Sequence, residues 1–536
     1  MARSVMRQTY AHVPQAKIPR SSFDRSHSYK TTMDCDHLVP IYVDEVIPGS
    51  TFRMTANPLI RLNSPTLHPL MDSLKATIHF FFVPYRVLWT NWEKMHGAQD
   101  DPGDSISYTT PAFGSPTAGD YTGSSDHVLL ARYLGIPHVS SFDMSVTSAF
   151  PFRAYNKIWN DWYRDQNLQD SLVEHTDDGP DNYNNYTLQK RGKRYDYFTS
   201  ALPSPQKGTA VDLPLGTQAP VTGIAIQDTS TILSGLGAGT SHETDNPGQT
   251  YANHVFGSNT SVVAFETGAT DEDLMVYADL SSATAATINE LRLAFQTQRL
   301  LERDARSGTR YVEHLAAHFG IDNYPDARLQ RPEFLGGGVF DIRINQVANT
   351  SEDAAQKQGE LTGFGIGTGT AGFTKSFVEW GLIMGLLSIQ GDLTYSQGLD
   401  RMWSRSTRYD YAYPVLSQVG EEAVLDQEIW YNAGDGQNSD VWGYQPRYES
   451  YRFKMSRNTQ LMAVDHSSTL ASWHLQEDFA ARPSLDSTFI QSSTTTPLDR
   501  AIAIPSEPQF NVDCWFNLQC ALPLPTYGVP GNLDHL

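Results

Sequence analysis

The sequence predicts an all-β scaffold with long loop insertions that contain several helices. Composition is the first reason. Aromatic residues make up 11% of the chain and charged residues 18%, while Pro (30) and Gly (39) recur along its length. That is the profile of strands joined by loops rather than of a helix bundle. A doubly apolar stretch at residues 74–84 is the second reason, because a strand buried on both faces requires cover on each side. The third is a gap. Between Lys207 and Arg292 there is no Lys and no Arg, and the stretch is rich in Gly, Ser, Thr and Asp. A segment this polar lacks the apolar contacts for a core of its own. It reads as a displayed insertion, and long exposed loops are where recognition is usually placed.

With 536 residues, a soft length rule suggests about three to four domains. A single large β fold with long insertions is the better expectation here. Residues 1–40 form a basic N-terminal arm. In the first thirty, Arg3, Arg7, Lys17, Arg20, Arg25 and Lys30 stand against one acid, Asp24. Such an arm is either a basic tail without fixed structure or a nucleic-acid contact.

Val39, Ile41, Val43, Val46 and Ile47 mark a strand that ends at Pro48-Gly49. In the next strand Ala76, Ile78, Phe80 and Phe82 face one way, and Thr77, His79, Phe81 and Val83 the other. Pro84 ends it. Val87, Leu88, Trp92 and Met95 then recur at helical spacing. Residues 98–126 read as loop, and 127–134 as a short helix closed by Gly135. The clearest helix is 150–165, with Pro151 in its first turn. Tyr155, Ile158, Trp159, Trp162 and Tyr163 make one aromatic stripe along it. The stripe predicts a core or subunit interface in preference to a sugar platform.

Helical order returns from Ile288. Arg292, Arg299, Arg303 and Arg306 fall on a common face, with Glu302, Asp304 and Glu313 as nearby partners. Acids on another subunit, or phosphate, are the other candidates. Residues 373–387 read as one long strand, followed by Trp- and Tyr-punctuated loops to about 460 and a final β region.

No motif that carries chemistry survives inspection. Gly367–Gly372 matches the dinucleotide fingerprint in letters, but a polar, Gly-rich stretch precedes it where a hydrophobic strand is required, so a flexible loop is expected. His314 and His318 have zinc-peptidase spacing, but Leu315 stands where the general base belongs. The acidic turn at 177–182 lacks the register of a calcium loop. Cys35, Cys514 and Cys520 are too unevenly placed for a disulfide framework. No catalytic residue, metal ligand set or cofactor site is therefore predicted, and no enzymatic activity. No apolar run is long enough to span a bilayer and none resembles an export signal, so production in the cytoplasm without membrane insertion is expected. A formal charge of −21 repels phosphate, so any nucleic-acid contact must be local.

Several segments together carry a resemblance: Phe80–Trp89 with Trp92, residues 152–165, Tyr197–Pro203, Glu290–Glu302 with Arg306-Ser-Gly308, Gly385–Ser388 with Tyr395–Leu399, and Pro530–His535. The chain resembles the major capsid proteins of the Microviridae, in the gokushovirus-like branch. That resemblance spans nearly the whole sequence except about 205–286. It implies an eight-stranded antiparallel jelly roll of viral capsid type. Its first part would be 41–204 and the remainder 287–536, with 205–286 as a variable surface insertion forming a three-fold protrusion.

The resemblance further implies a structural protein that self-assembles into a small icosahedral shell around circular single-stranded DNA. The expected partners are further copies of the chain, that DNA, a small basic DNA-condensing virion protein and a host surface receptor. Whether a scaffolding protein is also needed is not written in the sequence. The arm would face inward, with Arg3, Arg7, Lys17, Arg20 and Arg25 as DNA contacts. Tyr155, Trp159, Trp162, Arg299 and Arg303 would lie in a core helix or subunit interface. Assembly would take place in the bacterial host cytoplasm, and the virion capsid would be the final location. The competing reading is a secreted, aromatic-rich carbohydrate-active or adhesive β protein. It would need an export signal and a carboxylate pair in a cleft, and neither is visible.

Overall fold

The fold is a computed structural model that describes residues 19–114, 125–137, 139, 142–208, 226–228, 231–233, 251–255, 262–266, 288–307, 331–350, 358–434, 436–491 and 497–527. The chain divides into two compact units. One comprises residues 1–205 and 304–536, and the other Gln206–Arg303.

In the larger unit the strands are β1 (Ser21–Asp24), β2 (His27–Met33), β3 (Val39–Val46), β4 (Thr51–Leu62) and β5 (Leu74–Pro84). In the smaller unit β6 (Ile226–Asp228) pairs with β7 (Thr231–Leu233), and β8 (Tyr251–Val255) with β9 (Val262–Glu266). The larger unit resumes with β10 (Glu333–Ala348), β11 (Leu361–Thr368), β12 (Ala371–Ser376) and β13 (Gly381–Gly391). It ends with the hairpin β14 (Glu421–Leu425) and β15 (Val441–Pro446), then β16 (Phe510–Leu522).

One antiparallel sheet holds ten of these strands in the order β1-β16-β4-β11-β10-β5-β13-β3, with β2 also on β16 and β12 also on β4. β1 and β2 lie end to end along β16, and β11 and β12 lie end to end along β4. The sheet therefore has eight strand positions, two of them filled by broken strands. This is the jelly-roll strand count. The two ends of the order curl toward each other. Tyr42 on β3 packs against His27 of β2 and Phe516 of β16, with ring centroids 5.9 and 5.2 Å apart. Arg25, just before β2, forms an ion pair at 2.8 Å with Asp44 of β3.

The curl encloses the main core. β16 points Phe510, Val512, Cys514, Phe516, Leu518 and Cys520 inward, while Asn511, Trp515, Asn517 and Gln519 face solvent. That period-two alternation suits a sheet wet on one face. β5 behaves differently. Ala76, Ile78, Phe80 and Phe82 enter the enclosed core, and Phe81 and Val83 enter a second core on the opposite face. The face assignment made from the sequence holds. Each buried Phe contributes about 1.5–3 kcal/mol relative to exposure.

A helical layer supplies the second core. It comprises α1 (Tyr85–Leu88), α2 (Trp92–Met95), α3 (Asp126–Tyr133) and α4 (Phe150–Ile158). α4 carries Phe150, Phe152, Tyr155 and Ile158 against Leu382, Met384 and Leu386 of β13. α5 (Ile288–Ser307) is the long helix expected after the insertion. The short strands β6–β9 are the regular structure described for the smaller unit apart from its part of α5.

Four local expectations are corrected. The basic arm is sheet from Ser21 onward, because β1 and β2 complete the hydrogen bonding of β16. The helix expected over 87–95 is two short helices rather than one. The single strand expected over 373–387 is two, β12 and β13. The break comes where Phe377 turns into the core against Phe52 and Phe82, and its N–H donates to Ser50 O at 2.9 Å. The run Gly367–Gly372, expected as a flexible loop, is the end of β11, a two-residue turn and the start of β12. Glycine is needed there for close approach: a Cβ on Gly367 would lie 2.8 Å from Ile342 Cγ1.

Candidate functional site

The predicted contact residues separate in the structure. Arg3, Arg7 and Lys17 lie outside the described residues. Arg20 donates to Gly49 O at 3.2 Å and Thr51 Oγ1 at 3.3 Å. Arg25 is committed to Asp44, with Nη2–Oδ1 and Nη1–Oδ2 both at 2.8 Å. Within the described part of the arm, these cations hold the sheet together.

Tyr155 is fully buried and Trp159 nearly so. The Tyr155 hydroxyl donates to Leu38 O and accepts from Gln189 N–H, both at 2.9 Å, which ties α4 to the entry of β3. Trp162 departs from the stripe and is 38% exposed. α4 runs into a π-helical turn at Trp159–Tyr163, where Arg164 N–H donates to Trp159 O at 2.9 Å. The wider turn shifts the helical phase that the 3.6-residue spacing assumes. Trp162 therefore rests at the margin of the second core, with Nε1 donating to Pro332 O at 2.9 Å and Arg331 over its ring at 4.7 Å. Arg299 and Arg303 are exposed on α5. Arg306, from the same predicted row, pairs with Glu421 of β14 rather than with an acid of its own helix. His314 and His318 lie outside the described residues.

The acidic turn at 177–182 is organised around a guanidinium. His175, Asp177 and Asp181 offer ligand atoms all within 4.8 Å of one another. Asp181 has no exposed side-chain surface, and both its oxygens are engaged by Arg153 at 2.8 and 2.6 Å. The Tyr186 hydroxyl donates to Asp181 Oδ2, and Arg153 also reaches Asp177 Oδ1 at 3.3 Å. Burial alone would raise the Asp181 pKa. The hydrogen bonds from Arg153 and Tyr186 outweigh it and hold the group below the usual carboxylate range. Arg153 already supplies the positive charge that a cation would bring, so the cluster fits a structural role.

Sequence reading missed one surface. Residues 401–413 and 447–454 come together, with Arg405 Nη2 donating to Ser450 Oγ at 2.9 Å and Arg447 Nη2 to Tyr409 O at 3.4 Å. Trp403, Tyr409, Tyr411 and Tyr451 are each at least half exposed on it. Arg405 lies over the Tyr451 ring at 4.0 Å, Arg408 over Tyr409 at 5.1 Å and Arg447 over Tyr448 at 5.0 Å. The signal was present as alternating Arg and Tyr in both segments. It went unread because nothing in the sequence shows that the two segments meet.

The geometry offers packing, a closed sheet and a cationic aromatic surface, without a described constellation for catalysis. Residues 11–532 match the family model described as "Capsid protein (F protein)". The chain belongs to this capsid protein family. Among relatives, it is 41% identical over 533 residues to "Capsid protein VP1" of Bdellovibrio phage phiMH2K, covering 98% of this chain and 97% of that one. It is 40% identical over 600 residues to "Capsid protein VP1" of Chlamydia phage 1, covering 98% of each. "Capsid protein VP1" of Spiroplasma virus 4 is 34% identical over 545 residues, covering 96% and 95%. The Microviridae-type resemblance seen in the quoted segments is thus established across the chain. As a capsid protein it is a structural virion component. Its curled eight-position sheet is the jelly roll that such a role calls for, and no described helix is long and apolar enough to cross a membrane.

Proposed function

We propose that this capsid protein assembles with copies of itself into a small icosahedral shell that encloses circular single-stranded DNA. The observation that carries the reading is coverage. The family match runs through both compact units, and the phage capsid relatives align over nearly their full lengths. The insertion at about 205–286 is proposed as a protrusion at the three-fold axes and as the host-attachment surface. Its polar composition, without Lys or Arg after Lys207, supports display rather than burial.

Charge sets the remaining partners. Each nucleotide brings one negative charge, and subunits of formal charge −21 cannot offset it alone. A small basic DNA-condensing virion protein, or cations, would be packaged with the genome. The residues before β1, with Arg3, Arg7 and Lys17, would face inward beside it. Assembly would occur in the cytoplasm of the bacterial host.

Negative-stain electron microscopy of the purified chain tests the shell: regular small particles are expected, and only soluble monomers would overturn the reading. Deleting about residues 215–280 tests the insertion. Particles should persist while adsorption to host cells is lost, because long surface insertions add little to the stability of a core. A subunit that unfolds on deletion would place the insertion in the core instead.

A further inference from the structure

We propose that the surface built by residues 401–413 and 447–454 is a binding face for single-stranded nucleic acid. The inference rests on the reading that the chain encloses single-stranded DNA, and it assigns a contact surface to that role.

Charge is the first argument. Each of the two segments carries three cations against one acid, in a chain with a formal charge of −21. Three of these cations are neutralised locally: Arg401 by Glu422 and Glu428, Arg452 by Glu449 and Lys454 by Asp400. Arg405, Arg408 and Arg447 have no carboxylate partner among the described residues and lie instead over tyrosine rings. An aromatic face holds a guanidinium less tightly than a carboxylate does, so an arriving phosphate can engage it.

The second argument is the aromatic surface. Trp403 is 68% exposed and Tyr409 59%, with Tyr411 and Tyr451 close behind. Exposing this much aromatic surface is unfavourable unless something covers it. Interleaved cations and flat rings suit single-stranded nucleic acid, because phosphates meet the cations while bases stack on the rings without regard to sequence. A second copy of this chain is the rival occupant. Trp, Tyr, Arg and Met also compose interfaces between protein copies, so the three guanidinium groups without a carboxylate partner favour a phosphate-bearing occupant and electron microscopy of the variants decides between the two.

The test uses the full-length chain and a fluorescein-labelled twenty-nucleotide oligothymidylate, read by anisotropy between 50 and 200 mM salt. Trp403→Ala and Tyr411→Ala remove exposed rings, and Arg408→Gln removes one exposed guanidinium. Their far-ultraviolet circular dichroism melts should match that of the parent. Each ring deletion is expected to weaken binding by about fivefold or more. Arg408→Gln should lower the slope of log affinity against log salt by about 0.7. Unchanged affinity and slope in all three variants overturns the inference, as does a parent chain that does not bind the oligonucleotide.

Electron microscopy of the same samples separates the alternatives. Variants that keep oligonucleotide affinity but no longer form particles identify a contact between copies, which also overturns the inference. A parent that forms no particles yet binds through these residues sustains the inference and sinks the shell reading.

Discussion

Arg153 grips Asp181 at two points, Nε to Oδ2 at 2.8 Å and Nη2 to Oδ1 at 2.6 Å, with both side chains shut off from solvent. The pair fastens α4, which lies over the outer face of β13, to the turn that follows it. Arg153 also donates to Leu88 O at 3.0 Å and Asp177 O at 2.9 Å, so one guanidinium joins three segments.

Arg153→Ala would leave Asp181 as a buried charge with only Tyr186 for support. Breaking a buried pair in this way costs about 3–5 kcal/mol. Denaturant unfolding of the variant should show that loss, and a change below about 1 kcal/mol would be incompatible with the network. The sign with pH follows from the depressed Asp181 pKa. Its contribution is present above the unfolded value of about 3.9 and is lost as pH falls through the folded value.

His79 should make the fold sensitive to mild acid. Burial, with Arg191 nearby, pushes its pKa down to about 4 from an unperturbed 6.5. The imidazole is neutral in the native state and meets the Tyr163 hydroxyl at 2.8 Å. The unfolded chain binds the proton first, so stability is full above about 6.5 and falls as pH drops toward the folded value, then levels off. His79→Gln should flatten this decline in melting temperature between pH 7 and 4.5. Parallel curves for parent and variant would remove His79 as the cause.

The three thiols should be inert in the native protein. Cys35, Cys514 and Cys520 are free and buried. Burial drives the Cys35 pKa well up and pushes Cys514 up to about 12, so little thiolate forms at neutral pH. Iodoacetamide labelling read by mass spectrometry is expected to modify none of them until denaturant is added. Rapid native labelling of Cys514 would show that the inward face of β16 opens to solvent.

Gly336 lies where two strands approach closely. A Cβ there would sit 2.6 Å from Gly372 O and 3.4 Å from Phe373 Cβ. Gly336→Ala should force β10 and β12 apart and cost about 1–3 kcal/mol. A thermal melt unchanged from the parent would show that the strands can separate freely.

Much of the fold was legible because its signals are local. The two-faced apolar pattern of β5 marked a strand covered on both sides, and Pro84 marked its end. The helical stripe at 150–165 located the packing layer. Errors arose where a longer-range contact overrode a local rule. The π-helical turn rotated Trp162 off its stripe. Phe377 broke an apolar run in two by turning into the core, and both ends of the Gly367–Gly372 run became strand because they pair with β10 and β4. The contact residues were less legible still. Arg25 reads as part of a basic tail until Asp44 is placed beside it.

By itself the sequence determined the class and the family, and it marked a stretch without Lys or Arg between Lys207 and Arg292. Each of these depends on residue type and on spacing along the chain. Only the tertiary structure decided which cations are neutralised and which remain available. That depends on which distant segments meet: Asp44 satisfies Arg25, Asp181 satisfies Arg153, and no carboxylate reaches Arg405, Arg408 or Arg447 among the described residues. An ion pair is a short-range contact, and only folding brings residues so far apart in sequence within its reach.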